Sequence, residues 1–183
     1  MRPNLSKRLS MVLPLFVAAC FSTHVMAEGQ ETAVTKPAVP SCEDPLHHQF
    51  DFWIGDWVVM SGDRQIGANR IDAVENGCAI NEHWTGAGGG TGVSYSAYDR
   101  NDGKWHQFWV SGTGMVLHLV GGIEEGAMVL HGKLPAADGS GMDPQRVTWT
   151  PNPDGTVRQH WEVRKGEADW QTVFDGLYVR KPS

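Results

Sequence analysis

Residues 48–57 read His-Gln-Phe-Asp-Phe-Trp-Ile-Gly-Asp-Trp, with four aromatic residues in ten. The first part of this stretch favours a short helical turn. The apolar side of that turn would consist of Phe50, Phe52 and Trp53. Gly55 lets the chain turn sharply, because glycine has no Cβ to restrict its backbone, and Trp57 then begins an extended segment. We expect the turn to be a plug that closes one end of the fold behind it.

From Asp56 onward, short runs of residues alternate with clusters of Gly, Asn, Asp and Pro, such as Gly121-Gly122 and Pro153-Asp154-Gly155. These clusters indicate turns, because glycine accepts a positive φ and Asn or Asp tolerates one. Runs of about six to nine residues at this spacing are typical of consecutive antiparallel strands, and no run has a sustained helical period. We predict about ten strands, near residues 56–61, 66–75, 78–85, 92–99, 104–111, 115–121, 127–133, 145–151, 156–164 and 171–180.

Consecutive hairpins without a crossover helix predict an up-and-down meander. Closing that meander into a barrel removes the unpaired strand edges. The predicted fold class is therefore all-β: an antiparallel up-and-down β-barrel of about ten strands with a short N-terminal helical plug.

The N-terminal residues 1–27 have the layout of a secretory signal, with basic residues before an apolar run from Leu9 to Ala19. That run is shorter than the about 20 residues that a membrane span requires. Cleavage after Ala27 would release the mature protein into the periplasm or the medium. Alternatively, Val17-Ala18-Ala19-Cys20 resembles a bacterial lipobox, in which case residues 1–19 are a lipoprotein signal and Cys20 carries a membrane anchor.

The polar, proline-containing residues 28–45 are predicted to be a flexible leader, and residues 46–183 a single domain. Residues 1–27 contain 3 of the 15 basic residues and no acidic one, so their removal leaves 12 basic against 21 acidic residues, a formal charge of −9. An acidic chain without a basic stripe argues against binding to nucleic acid. We also predict no transmembrane segment.

Either cleavage leaves two cysteines that can pair, Cys42 and Cys78. In an oxidising compartment we expect them to form a disulfide. Two thiols without a Cys-x-x-Cys motif or a clustered histidine pair do not fill a tetrahedral zinc site. We predict no metal site elsewhere in the chain.

Gly55-Asp56-Trp57 at the first strand resembles the Gly-x-Trp signature of lipocalins and their relatives, the calycins. In that group an arginine late in the chain packs across the signature tryptophan, and Arg180 matches this position. The resemblance implies a calycin-like barrel, here with about ten strands rather than eight. Some ten-stranded relatives bind haem through a histidine near the end of the chain, but no histidine follows His160. We therefore predict no cofactor.

A second resemblance covers most of the mature chain. Three segments are similar to a family of secreted bacterial proteins that share a domain of unknown function: Phe50-Asp-Phe-Trp-x-Gly-x-Trp57, Gly92-x-Ser94-x-Ser96-x-Tyr98-Asp99 and Phe174-Asp-Gly-x-Tyr178. This resemblance also implies a calycin-like barrel, and it brings no known activity.

Alternate side chains of a barrel strand face the interior. In three predicted strands one face combines a polar residue with tryptophan: Glu82 with Trp84, Gln107 with Trp105 and Trp109, and Gln159 with Trp161. This composition is typical of a ligand cavity, although the same side chains could instead fill a closed core. The candidate ligand-binding residues are Trp84, Ser94, Ser96, Tyr98, Gln107, Trp109, Arg146, Gln159 and Trp161.

The sequence favours a protein that holds a small apolar or amphipathic molecule in this cavity. One alternative is a cofactor-free isomerase, cyclase or hydratase that uses Glu82 as general acid or base, with Ser94 and Tyr98 stabilising an oxyanion. In the simpler interpretation Glu82 is neutralised by Arg146, since a buried unpaired charge is very costly. A third possibility is a periplasmic interaction module that uses the outer face of the barrel.

Overall fold

The structure, a computed structural model, describes residues 42–182; the predicted signal, Cys20 and most of the predicted leader lie outside these residues. Ten antiparallel strands form one closed barrel in which neighbours in sequence are neighbours in the sheet, and β1 pairs with β10. The strands are β1 Gly55–Ser61, β2 Arg64–Val74, β3 Ala79–Gly86, β4 Thr91–Asp99, β5 Lys104–Ser111, β6 Val116–Glu124, β7 Ala127–Pro135, β8 Met142–Pro151, β9 Val157–Val163 and β10 Gln171–Arg180. The predicted fold class is confirmed.

The plug consists of two short 3₁₀ turns, Pro45–His48 and Asp51–Trp53. Asp44 caps the first turn by accepting a hydrogen bond from the Leu46 amide. Phe50 and Trp53 are completely buried, and their rings stack with centroids 5.0 Å apart. Apolar burial therefore fixes the plug in the end of the barrel.

Arg180 joins the last strand to the plug and to the first strand. Its guanidinium lies 3.9 Å from the ring centroid of Trp57, and its Nη1 donates to the carbonyl oxygen of Ile54 at 2.6 Å. Gly55 has a φ of +143°, and a Cβ at this residue would lie 1.9 Å from the Arg180 guanidinium. The contact thus requires glycine at this position.

The barrel is filled at the plug end and open at the other. Aromatic rings occupy the filled end because five strands each place one there: Trp57, Trp105, Trp149, Tyr98 and Tyr178. Phe50 contacts both Trp105 and Trp149 edge-on. The two interpretations of the sequence, a filled core and a cavity, therefore each describe one half of the interior.

The predicted disulfide between Cys42 and Cys78 is present. It links the residues just before the plug to the start of β3. Eight of the ten strands differ from their predicted bounds by one to three residues at an end, and the clearest difference is in β6, which continues to Glu124 through Gly121-Gly122, where the sequence predicts a turn. Within residues 42–182 no helix has the length and apolarity to cross a membrane.

Candidate functional site

A cavity of about 220 Å³ lies in the open half of the barrel. Its lining is mostly aromatic and aliphatic, with a few polar groups on the side toward the plug. The lining residues are Glu82, Trp84, Gln107, Trp109, Leu117, Leu119, Val147, Gln159, Trp161, Val173, Phe174 and Tyr178. The structure thus brings together six of the residues that the sequence predicts, from β3, β5 and β9.

Four aromatic side chains surround the mouth in two edge-to-face pairs. The rings of Trp109 and Trp161 have centroids 6.0 Å apart, and those of Trp84 and Phe174 have centroids 5.7 Å apart. The indole nitrogen of Trp161 donates to Gln145 Oε1 at 2.8 Å, which fixes the orientation of this ring. The mouth therefore presents a pre-organised aromatic surface.

Two inward-facing glycines make room for the tryptophans. A Cβ on Gly92 would lie 2.9 Å from ring atoms of Trp109, and a Cβ on Gly67 would lie 2.3 Å from the ring of Trp84. Each glycine sits on the strand next to its tryptophan. The size of the cavity thus depends on residues that carry no side chain.

Of the residues that the structure describes, Glu82 is the only acidic one in the cavity lining, and only 5% of it is exposed. Asn69 Nδ2 donates to one carboxylate oxygen at 2.8 Å, and Ser94 Oγ donates to the other at 2.7 Å. Burial raises the pKa of Glu82, and these two hydrogen bonds oppose that rise in part. The carboxylate is held in place by neutral donors alone.

The network continues from Asn69 to β10 and β9. Asn69 Nδ2 also donates to the Tyr178 hydroxyl at 3.2 Å, and that hydroxyl donates to Gln159 Oε1. Burial, together with the negative charge of Glu82, raises the pKa of Tyr178 well above its usual value of 10.0. Tyr178 therefore remains a neutral hydrogen-bonding group beneath the cavity at physiological pH.

Arg146 is not in the cavity, and the predicted ion pair with Glu82 is wrong. Its guanidinium bonds Glu162 at 2.7 Å on the outer face and lies 4.5 Å from the ring centroid of Trp170. The physical reason is the alternation of side chains along β8. The buried, inward-facing residues are Gln145, Val147 and Trp149, so Arg146, which lies between the first two, faces outward. Within residues 42–182, Glu82 consequently has no cationic partner.

Three other predicted ligand-binding residues do not line the cavity. Ser94 and Ser96 face inward but are used within the network, since Ser94 donates to Glu82 and Ser96 accepts from Gln107 Nε2 at 3.1 Å. Tyr98 lies at the plug end, where its ring packs edge-on against His47. Ser94 and Tyr98 therefore do not form the oxyanion-stabilising pair that the catalytic alternative requires.

Sequence patterns did not assign Asn69, Phe174 or Tyr178 to the site, although Phe174 and Tyr178 both stand in a family motif. Asn69 shares a strand face with Gly67 and the apolar Ile71, so the alternation of β2 was the available signal. The inward orientation of Phe174 could not be predicted from alternation along β10, because a β-bulge shifts the register between β10 and β9 between Thr172 and Phe174. A bulge breaks the two-residue period on which face assignment depends.

Away from the cavity, Asp99, Asp102 and His106 place one possible metal-ligand atom each within 4.8 Å of one another. These residues lie at the turn between β4 and β5. His106 Nε2 is bonded to Asp102 at 2.9 Å, and Asp99 accepts from the amide of Asn101 at 2.8 Å. These hydrogen bonds are typical of a closed turn, so the cluster does not by itself indicate a metal site.

The raised pKa of Glu82 makes stability depend on pH. Because the folded state holds this proton more tightly than the unfolded state, the contribution of Glu82 to stability is full below its ordinary pKa of 4.5 and is lost as pH rises through the folded value. Each unit by which the folded pKa of Glu82 exceeds its ordinary pKa lowers the free energy of unfolding by about 1.4 kcal/mol at a pH above the folded pKa. We expect Glu82→Gln to remove this loss and to be more stable than wild type at neutral pH.

Urea denaturation of both proteins from pH 4 to pH 8 measures this effect. The difference between the two free energies of unfolding isolates Glu82, because the lowered pKa values of Asp99, Asp138, Asp154 and Asp175 are common to both proteins. A difference that does not change with pH would contradict the assignment.

Neither protein-family models nor curated proteins give a match to this chain. What the cavity holds must therefore be inferred from its lining. That lining combines an aromatic mouth, a buried carboxylate and two carboxamides, Gln107 and Gln159.

Proposed function

We propose that this protein binds a small amphipathic molecule in the open half of its barrel. The observation that carries the proposal is a cavity of about 220 Å³ between an aromatic mouth and a polar floor. Ligand sites are concave, mostly apolar and provided with few convergent polar groups. The apolar part of the ligand contacts the tryptophans, and its polar part reaches Glu82, Gln107 or Gln159.

Catalysis by Glu82 is the weaker alternative. The raised pKa of Glu82 suits a general acid or base, but Ser94 and Tyr98, the residues predicted to stabilise a developing negative charge, do not line the cavity. We therefore favour binding over turnover.

Export and membership of a calycin-like family belong to the same proposal. The disulfide between Cys42 and Cys78 supports an oxidising compartment. The contact of Arg180 with Trp57 supports the calycin resemblance. The likeness to the secreted bacterial family rests on its sequence motifs.

Binding is tested by native mass spectrometry of protein purified gently from the periplasm, followed by titration of the released molecule against tryptophan fluorescence. We expect the molecule to quench wild type. Trp109→Phe and Trp161→Phe should bind about 3- to 10-fold more weakly, corresponding to the about 0.5–1.5 kcal/mol that an aromatic contact contributes.

Trp170→Phe is the matched control, because Trp170 contacts Arg146 on the outer face and does not line the cavity. This variant should bind like wild type. Equal quenching in all three variants would place the ligand elsewhere. An empty protein that a panel of apolar molecules leaves unquenched would contradict the proposed function.

A further inference from the structure

We propose that the ligand is a small organic cation, an ammonium group attached to one ring or a short apolar body. This inference rests on the proposed function and deepens it by assigning a charge to the ligand. It follows from three features of the cavity: an unneutralised carboxylate, an aromatic mouth and a small volume.

The first feature is the charge of the cavity. Among residues 42–182, the side chains that line it include no lysine, arginine or histidine. Glu82 is held by the neutral side chains of Asn69 and Ser94, while Arg146 is engaged with Glu162 outside the barrel. A buried carboxylate without a counter-charge is costly. A cationic ligand supplies the missing charge.

Glu82 also has the capacity to accept a further hydrogen bond. Each carboxylate oxygen carries two lone pairs, and each accepts only one hydrogen bond from the protein. An ammonium group has donors alone, so it matches this remaining capacity. A carboxylate or phosphate ligand would instead be repelled by Glu82.

The second feature is the aromatic mouth directly above the carboxylate. Glu82 and Trp84 are adjacent inward-facing residues of β3, and Ser94 pairs with both Glu82 and Trp109 across neighbouring strands. A cation near the face of an aromatic ring gains about 0.5–2 kcal/mol, and tryptophan is the best partner. A cation bound at Glu82 therefore lies within reach of indole rings.

The third feature is size. A cavity of about 150 Å³ holds one benzene molecule, and this cavity has about 220 Å³. Most ligand pockets are larger, at roughly 300–1,000 Å³. The available space fits one ring or a short chain together with the ammonium group.

Ligand charge and protonation of Glu82 are linked. Among the described residues 42–182, the only other titratable group that lines the cavity is Tyr178, which is neutral at physiological pH. Burial raises the pKa of Glu82, so at a pH below the pKa of the free protein a bound cation displaces the carboxyl proton, and at a higher pH it pairs with the carboxylate directly. The affinity for a cation therefore rises with pH through the pKa of the free protein, whereas the affinity for a neutral analogue does not.

The test compares two probes of similar shape, protonated 2-phenylethylamine and neutral 2-phenylethanol, by isothermal titration calorimetry of the mature protein. We expect wild type to bind the amine about tenfold more tightly than the alcohol. Glu82→Gln should bind both with similar affinity. The matched control is Glu124→Gln, which changes an exposed carboxylate at the end of β6 and should keep the tenfold preference.

Titration of wild type in two buffers of different ionisation enthalpy gives a readout that needs no variant. Proton release on binding of the amine, but not of the alcohol, supports the proposal. Equal affinity for the two probes, or a preference for the alcohol, overturns the cation assignment and leaves the proposed binding function intact. Failure of both probes and of a wider apolar panel overturns both.

Discussion

Replacing both Cys42 and Cys78 with alanine is expected to lower the free energy of unfolding by roughly 4 kcal/mol. The disulfide joins residues 36 positions apart in sequence, and cross-linking a loop of that length restricts the unfolded chain by about this amount in the chain-entropy model. The loop contains the plug, β1 and β2, so loss of the disulfide also removes a restraint on the plug end of the barrel. Guanidinium denaturation measures the change.

Reduction of the disulfide in the wild-type protein should reproduce the loss, whereas the double variant should not respond to the reductant. This comparison separates the cross-link from packing effects of the new alanines. A loss below about 1 kcal/mol in both experiments would contradict an unfolded-state constraint of this size.

Gly121→Ala is expected to cost roughly 3 kcal/mol, the upper end of the range for overpacking. A Cβ at this residue would lie 2.0 Å from the carbonyl oxygen of Val129 and 3.0 Å from the Cα of Leu130. Both atoms belong to the backbone of β7, which cannot rotate away as a side chain does. The pairing of β6 with β7 must therefore distort.

The adjacent Gly122→Ala is the matched control, because a Cβ there meets no atom within 4 Å. This variant should be as stable as wild type or more stable by about 0.4–1 kcal/mol, since alanine reduces the freedom of the unfolded chain. Urea denaturation of the two variants compares the same substitution at neighbouring positions. Equal stabilities would show that β7 yields easily at this point.

The strands and the plug were predictable because their signals are local. Hairpin turns need glycine at positive φ, as at Gly62, Gly103 and Gly155, and such residues are visible in the sequence. The aromatic plug and the paired cysteines are also visible. Gly121 carried the same signal with a different cause, its close approach to the backbone of β7, so the pair Gly121-Gly122 was mistaken for a turn.

The cavity was predictable only in part, because it depends on which face of each strand turns inward. Tryptophan and glutamine marked that face in β5 and β9. For β8 the prediction placed the face that carries Arg146 inside the barrel, although the apolar residues Val147 and Trp149 on the opposite face indicated the reverse. The bulge in β10 and the bond from Asn69 to Glu82 arise from contacts between strands, which a linear pattern does not record.

The seam between β1 and β10 is the least local contact of the sheet. Nine of the ten strand pairs join neighbours in sequence, whereas the seam joins Trp57 to Arg180. Contacts between residues far apart in sequence form slowly, because the chain loses entropy in closing the loop before the contact stabilises it. We therefore expect the hairpins to form before the seam, which leaves β1 and β10 as unpaired edges until the barrel closes. Unpaired strand edges promote aggregation, so closure of the seam is expected to protect the chain from it.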